Sequence, residues 1–155
     1  MNNIEVPLFK WVSPTTIEFQ LLPGVGTGIP IDVSTRGGKR SAVNLGFSYE
    51  FPEVLSVEPP YALTGSFETS FTIRGTGFGT SMGDLESLSV GGQQCGSTEW
   101  VSTNKMYCND VKSSEWLSRS ASVTVGGQLS PANALFEGIG DPRIVTISPQ
   151  LAEAN

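Results

Sequence analysis

The sequence offers few residues for catalysis, because its 155 residues include no histidine. Without histidine the most common general base is missing, and a Ser-His-Asp triad cannot form. Glycoside hydrolysis needs two opposed carboxylates. Asp84 and Glu86 are candidates, but they lie in a predicted Gly-rich surface loop. We therefore expect that the protein is not an enzyme and holds no cofactor.

Asp84 and Glu86 also raise the possibility of a calcium site, since acidic loops and nearby carbonyl oxygens hold Ca²⁺ in some proteins. The loop has fewer acidic residues than a dedicated calcium site. A solvated loop is the favoured interpretation, and bound calcium stays open as the alternative.

The run Gly75-Thr76-Gly77-Phe78-Gly79 resembles a phosphate-binding loop only superficially. A phosphate cradle needs a following helix whose N-terminus faces the anion, and often a lysine. The sequence after Gly79 predicts neither. We therefore expect a turn in which the glycines supply positive φ angles and Phe78 fills the core.

Cys95 and Cys108 are the only cysteines. Their spacing excludes a CxxC redox motif. Two cysteines without histidine cannot complete a four-ligand zinc site. A disulfide or a pair of buried free thiols remains.

The net charge of −6 argues against nucleic-acid binding, which needs clustered basic residues. The nearest basic cluster, Arg36, Lys39 and Arg40 around Gly37-Gly38, is better interpreted as a solvated hairpin tip. No apolar run approaches the ~20 residues of a membrane span. The first ten residues do not resemble a secretory signal, so a signal of a secreted parent protein would lie elsewhere.

Short stretches of alternating apolar residues predict β-strands throughout the chain, since a period of two is typical of half-buried strands. The alternating pairs are Ile17 and Phe19, Ile31 and Val33, Phe71 and Ile73, Leu88 and Val90, and Val123 and Val125. Glycine and proline clusters separate these stretches, and the chain has 18 Gly and 10 Pro. The pattern predicts an all-β sandwich or barrel. The helix-like stretch Ser113 to Arg119 is too short for more than a turn.

The sequence repeats itself at a fixed offset. Trp11-Val12-Ser13 recurs 89 residues later as Trp100-Val101-Ser102. The same offset relates Ile17 to Met106, Phe19 to Cys108, Gly37-Gly38 to Gly126-Gly127, Ser41 to Ser130, Asn44 to Asn133 and Phe47 to Phe136. One residue of slippage then relates Pro52, Val54, Val57 and Pro59 to Pro142, Ile144, Ile147 and Pro149.

A unit of about 90 residues is an independently packed domain rather than a short solenoid repeat. The offset predicts three parts of unequal length. Residues 1–51 are the C-terminal part of one module, residues 52–141 are a complete module, and residues 142–155 begin a third. We therefore expect the chain to be an excerpt from a longer array.

The complete module resembles an IPT/TIG domain, the immunoglobulin-like fold of plexins and some transcription factors. The resemblance rests on Pro52-x-Val54-x-x-Val57-x-Pro59, Thr72 to Gly79, Val90-Gly91-Gly92 with Cys95, Met106-x-Cys108, Val123 to Ser130, and Phe136. It implies tandem immunoglobulin-like (early-set) antiparallel β-sandwiches. It does not imply one activity, because receptor ectodomains, DNA-binding dimers, enzyme accessory modules and surface fibres share the fold.

Cys95 and Cys108 match the paired cysteine positions of that family. In the other copy the equivalent positions are Val6 and Phe19, so both cysteines are replaced together by apolar residues. This favours a buried bridge between neighbouring strands, stabilising by about 3 kcal/mol in the chain-entropy model. A disulfide also implies an oxidising compartment. Two buried free thiols stay open as the alternative.

Six aromatic residues of the repeat are predicted to form its core: Trp11, Phe19, Phe47, Phe78, Trp100 and Phe136. Large aromatic side chains dominate the cores of sandwiches. The alternative for Trp11 and Trp100 is an exposed platform for a ligand.

These observations favour a structural or adhesive module of an extracellular surface protein or filament, acting as a semi-rigid bead in an array. A direct Phe47 to Pro52 connection, stiffened by proline, supports this. The alternatives are a receptor ectodomain, with an exposed apolar patch, and a carbohydrate-binding accessory module, with coplanar exposed aromatics. A DNA-binding dimer is disfavoured by charge.

The expected partners are neighbouring modules or identical subunits. A part-module in residues 1–51 would leave Ile17, Phe19, Ile31 and Val33 uncovered, and burial of each is worth roughly 1.5–3 kcal/mol. We expect the missing half to come from upstream chain or from strands donated by another subunit.

Overall fold

The computed structural model describes residues 9–41, 45–63, 65–113, 119–134 and 137–139. Its N-terminal segment, residues 9–41 and 45–51, contains two antiparallel strand pairs. These are β1 (Phe9–Ser13) with β2 (Thr16–Phe19), and β3 (Ile29–Ile31) with β4 (Leu45–Phe47).

The following part of the chain is rich in strands and folds as a β-sandwich. Its strands are β5 (Glu53–Glu58), β6 (Tyr61–Leu63), β7 (Gly65–Thr76), β8 (Leu85–Val90), β9 (Gln93–Gln94), β10 (Ser97–Ser102), β11 (Lys105–Ser113), β12 (Ser120–Val125), β13 (Gln128–Leu129), β14 (Asn133–Ala134) and β15 (Glu137–Ile139). A single 3-10 turn, Met82–Asp84, precedes β8 and is the one helical element of the described residues.

Two sheets form the sandwich. The first has the order β10-β11-β7-β5, and the second has the order β13-β12-β8-β9 with β14 also paired to β12. All neighbours within these two sheets are antiparallel, as predicted. One pair departs from that prediction, because β15 runs parallel to β6 in a separate two-stranded sheet.

The core lies between the two sheets and follows the alternation of the sequence. Phe71 and Ile73 of β7 face the interior, while Leu88 of β8 and Val123 of β12 face them from the second sheet. The other buried side chains of this core cluster are Val54, Val57, Phe78, Val90, Met106, Cys108, Val111, Ala121 and Val125. Each large side chain removed from water here contributes roughly 1.5–3 kcal/mol, which makes this core the main source of stability.

Two tight turns set the register of the second sheet. Gly91 and Gly92 connect β8 to β9, and Gly126 and Gly127 connect β12 to β13. All four have positive φ, between 55° and 78°. Two-residue hairpins of type I′ need positive φ at both central positions, which explains why glycine occupies them.

Three predictions fall outside the described residues. They are the core position Phe136, the start of a third module in residues 142–155, and most of the helix-like stretch after Ser113.

Candidate functional site

The two hairpins that carry the repeated tryptophans have the same register. Trp11 pairs with Ile17 in β1–β2, and Trp100, 89 residues later, pairs with Met106 in β10–β11. The remaining pairs correspond at the same offset. Phe9–Phe19 corresponds to Thr98–Cys108, Lys10–Glu18 to Glu99–Tyr107, and Ser13–Thr16 to Ser102–Lys105. Both hairpins also have their irregularity at the residue after tryptophan. The sequence repeat therefore coincides with a repeat of strand pairing.

Equivalent faces of the two hairpins differ in exposure. Directly paired residues share a face, as do alternate residues along a strand. In β10–β11 the face of Trp100, Met106 and Cys108 lies against the core. In β1–β2 the equivalent face is exposed, with Trp11 63% and Phe19 39% accessible. The expectation that Trp11 and Phe19 are core residues is therefore not met within the described residues.

The difference follows from what covers each hairpin. On the side away from β10, strand β11 pairs with β7. Phe78, which follows β7 in sequence, is fully buried. The indole nitrogen of Trp100 donates a hydrogen bond of 2.8 Å to the carbonyl oxygen of Phe78. In the described residues β2 pairs with β1 alone, so Trp11 meets no counterpart of β7 or Phe78.

The glycine-rich run positions Phe78. Gly77 and Gly79 have positive φ of 70° and 78°, as predicted for a turn. Gly75 is required for a different reason: a β-carbon there would overlap the carbonyl oxygen of Glu53 and lie 2.5 Å from the Phe78 ring. The run therefore allows close packing of β5, β7 and Phe78.

Cys95 and Cys108 form a disulfide, with their Cα atoms 5.2 Å apart. Cys108 is fully buried in β11, whereas Cys95 follows β9 and its N–H donates to the carbonyl oxygen of Leu88. The bond therefore connects the two sheets, which corrects the expectation of a bridge between neighbouring strands. The prediction from the repeat missed this because Cys95 lies where the chain passes from β9 of one sheet to β10 of the other.

Asp84 and Glu86, the calcium candidates, have structural roles. One carboxylate oxygen of Asp84 accepts hydrogen bonds from the N–H groups of Thr80 and Ser81 and from the Thr80 hydroxyl. Partial burial favours the neutral acid, but these donors outweigh it and hold the pKa of Asp84 below its usual value. Glu86 accepts from the N–H of Gly127 at 2.7 Å. Among the described residues no three acidic or cysteine side chains lie close enough to hold a metal ion.

Gln128 joins the sandwich to the N-terminal segment. Its side-chain nitrogen donates to the carbonyl oxygen of Tyr49 at 2.9 Å, and its side-chain oxygen accepts from the N–H of Gly26 at 3.2 Å. Tyr49 N–H donates directly to the carbonyl oxygen of Gly26. The side-chain amide of Gln128 therefore bonds to the remaining N–H of Gly26 and to the remaining carbonyl oxygen of Tyr49. Gln128 is 2% exposed.

Packing reinforces the same junction. Val25 is half-buried against the core of the sandwich, and it lies beside Gly126. Tyr49 in turn donates its hydroxyl to the carbonyl oxygen of Leu22 and packs edge-on against Phe47, with ring centroids 4.9 Å apart. We call this cluster the junction: residues Leu22 to Gly28, Phe47, Tyr49, Gly126 and Gln128.

The sequence did not identify the junction as a site. Gln128 was noted only within the family pattern, and by the offset its counterpart is Lys39, which is exposed. A polar residue on a short strand after a glycine turn is usually solvated. Gln128 is buried instead, because of partners that lie about one module away in sequence.

In the described residues no helix is long and apolar enough to span a membrane. The model of the IPT/TIG domain matches residues 52–137, which is more than half of the chain. No curated protein matches the chain.

Proposed function

The chain belongs to the IPT/TIG domain family, and from this premise we propose that it is a structural or adhesive part of an extracellular surface protein, in which IPT/TIG modules follow one another as semi-rigid beads. IPT/TIG domains are generally non-catalytic immunoglobulin-like modules. The proposed partners are therefore neighbouring modules or identical subunits rather than a substrate.

The observation that carries the proposal is the common register of β1–β2 and β10–β11. The two hairpins have a tryptophan at the equivalent position, the same pairing register and an irregularity at the same place. Successive modules of one array would share these features. Each IPT/TIG module needs a complete sandwich to bury its core, so such a hairpin in residues 9–19 supports a second module before residue 52.

The junction supports the stiffness of the array. A flexible linker would leave the N-terminal segment free to reorient, whereas here Gln128 and Val25 make direct contacts between the two parts. Relative motion of domains is the default where an interface is small, so the stiffness of the array depends on these contacts.

The disulfide supports an extracellular location. Disulfides persist in oxidising compartments and are rare in the cytosol. The low content of charged residues, 15%, does not by itself distinguish compartments, so the disulfide carries this part of the proposal.

An antibody raised against residues 52–137 tests the proposal on the organism that makes the protein. We expect it to label intact cells or their shed filaments without permeabilisation. Thiol labelling under denaturing conditions should modify Cys95 and Cys108 only after reduction, because in the folded protein the buried Cys108 would not react in either state. Labelling restricted to permeabilised cells, or free thiols in freshly isolated protein, would contradict the extracellular array.

The exposed apolar face of β1–β2 also gives weight to the alternatives, a receptor ectodomain or a carbohydrate-binding accessory module. Phe9, Trp11 and Phe19 are exposed on one face and a partner protein or sugar would contact them first. Affinity electrophoresis of the chain in polysaccharide gels, with Trp11→Ala as the control variant, distinguishes the carbohydrate function from the structural one.

A further inference from the structure

We propose that the complete module carries tension along the array, and that the parallel pair of strands β6 and β15 is the part of the fold that resists this tension. The force would reach the module from its neighbours on either side. The inference rests on the proposed array, because a module outside an array would carry no such load.

Strands β6 and β15 lie near opposite ends of the module in sequence but next to each other in the fold. They form a two-stranded sheet of their own. Tyr61 pairs with Glu137, Ala62 with Gly138, and Leu63 with Ile139. The chain continues upstream of β6 and downstream of β15. Tension between the two flanking segments therefore acts on this pair.

The parallel direction of the pair decides how tension acts on it. Upstream chain enters at the N-terminal end of β6, and downstream chain leaves at the C-terminal end of β15. In a parallel pair these are opposite ends of the ladder, so tension slides the strands along each other and loads their backbone hydrogen bonds together. In an antiparallel pair the same two ends would lie side by side, and tension would open the bonds one at a time.

Strand β5 receives the upstream load before β6 does, since only Pro59 and Pro60 separate the two strands. It pairs antiparallel with β7 at the edge of the first sheet, and its Val54 and Val57 are buried in the core. Release of β5 alone would free a few residues of chain. Release of β6 from β15 would disconnect the two ends of the sandwich, so this pair sets the force at which the module opens.

The disulfide limits how far an opened module extends. Cys95 and Cys108 lie outside both strands, so the bond does not hold the parallel pair together. It does close off the chain between them, whose sequence separation is 13. Fully extended, that stretch would span about 45 Å, whereas the bonded Cα atoms are 5.2 Å apart. An opened module with the bond intact should therefore be about 40 Å shorter than one without it.

Single-molecule force spectroscopy on the full 155-residue chain, tethered at its two ends, tests the proposal. The opening of the module can be recognised by its length, because both cysteines of the chain lie in this module. In the variant with Cys95→Ala and Cys108→Val the step should be about 40 Å longer than in the wild type. The force of the step should be unchanged, because the disulfide is not part of the parallel pair.

Proline substitutions at two adjacent residues test the ladder and provide a matched control. Successive N–H groups of a strand point to opposite sides, so only one of Tyr61 and Ala62 donates toward β15. Proline removes that N–H. One of the variants Tyr61→Pro and Ala62→Pro should therefore open about tenfold faster at constant force, and the other should stay within about twofold of the wild type.

A core variant separates mechanical resistance from overall stability. Trp100→Phe loses the hydrogen bond to the carbonyl oxygen of Phe78 and should lower the free energy of unfolding. It should leave the opening force unchanged, because Trp100 still keeps its contacts when the parallel pair breaks. If β6 and β15 had only a general structural role, the opening force would follow the free energy of unfolding in every variant.

Each other outcome overturns the load-bearing role of the pair. Equal effects of the two prolines, or no effect of either, would place the resistance in another pair such as β5 and β7. An opening force lowered by Trp100→Phe as much as by the effective proline would mean that the whole core yields at once. These results leave the array intact if the antibody labels intact cells, whereas labelling confined to permeabilised cells contradicts the array whatever the opening force, so the two proposals fail separately.

Discussion

The side-chain amide of Gln128 donates to the carbonyl oxygen of Tyr49 at 2.9 Å, although 79 residues separate them in sequence. With its oxygen accepting from Gly26, the amide completes a backbone pair in a different part of the chain. Because the side chain of Gln128 satisfies two backbone groups at a half-buried junction, the stability of the junction depends on this one residue.

Gln128→Ala is expected to destabilise the junction, because it leaves the N–H of Gly26 and the carbonyl oxygen of Tyr49 without their partner. Each group left unsatisfied costs about 1–3 kcal/mol where water cannot replace it. Hydrogen exchange at Gly26 should accelerate, and urea denaturation should give a lower free energy of unfolding. Gln94→Ala, at an exposed glutamine of β9, is the matched control. Unchanged exchange at Gly26 in Gln128→Ala would contradict the role of this amide.

The repeated tryptophans should respond differently to the same substitution. Trp100→Phe removes the hydrogen bond to the carbonyl oxygen of Phe78 and part of a half-buried ring, and we expect a loss of about 1–2 kcal/mol. Trp11→Phe, at the equivalent position of an exposed hairpin, should stay within about 0.5 kcal/mol of the wild type. Thermal unfolding of both variants measures this difference. Equal losses would show that Trp11 is also packed against other residues.

Removal of the disulfide should lower stability without changing the fold. Cys95→Ala combined with Cys108→Val keeps the buried position apolar, and the chain-entropy model predicts a loss of about 3 kcal/mol. The midpoint of urea denaturation, with and without reductant, measures it. Reductant should shift the wild type toward the variant and have no effect on the variant itself. A wild type insensitive to reductant, once reduction is verified by thiol titration, would exclude this contribution.

Asp84 predicts a specific dependence of stability on pH. Since its pKa is lowered in the folded protein, its carboxylate stabilises the fold above the unfolded pKa, and this contribution is lost as the pH falls through the folded pKa. Asp84→Asn should be less stable at neutral pH and should lose less on acidification to about pH 2. Glu99→Gln, at an exposed position of β10, serves as the control for a general change in charge. Parallel curves for wild type and Asp84→Asn would refute the assignment.

Local patterns predicted much of the fold. Alternation predicted half-buried strands at Phe71, Ile73 and Val123, and these side chains lie in the core between the two sheets. The glycine pairs marked the hairpin turns, because turn conformation depends on adjacent residues. The parallel pairing of β15 with β6 was not predicted, since pairing between distant strands leaves no local signature.

The candidate site was harder to predict than the fold. The repeat related Trp11 to Trp100, and the two hairpins share a register. It could not tell that one ring is half-buried and the other exposed, since coverage depends on β7 rather than on the hairpin. The junction was missed for the same reason: the burial of Gln128 depends on Gly26 and Tyr49, which its neighbours in sequence do not reveal.

Two adjacent glycines allow the junction to be tested separately from backbone strain. Gly126 and Gly127 form the turn between β12 and β13, with φ of 55° and 76°, so alanine at either position adopts an unfavourable left-handed conformation that costs about 1–2 kcal/mol. Around Gly127 a β-carbon meets no atom within 4 Å, whereas at Gly126 it would lie 2.6 Å from a methyl group of Val25.

Gly126→Ala should therefore carry a further cost that Gly127→Ala does not. Overpacking against Val25 typically costs about 1–3 kcal/mol, and it should push the N-terminal segment away from the sandwich. We expect faster hydrogen exchange at Gly26 in Gly126→Ala alone, together with a lower free energy of unfolding than that of Gly127→Ala. Equal stabilities and equal exchange in the two variants would mean that Val25 and Gly126 are not in contact in solution, and the semi-rigid connection between modules would lose its main support.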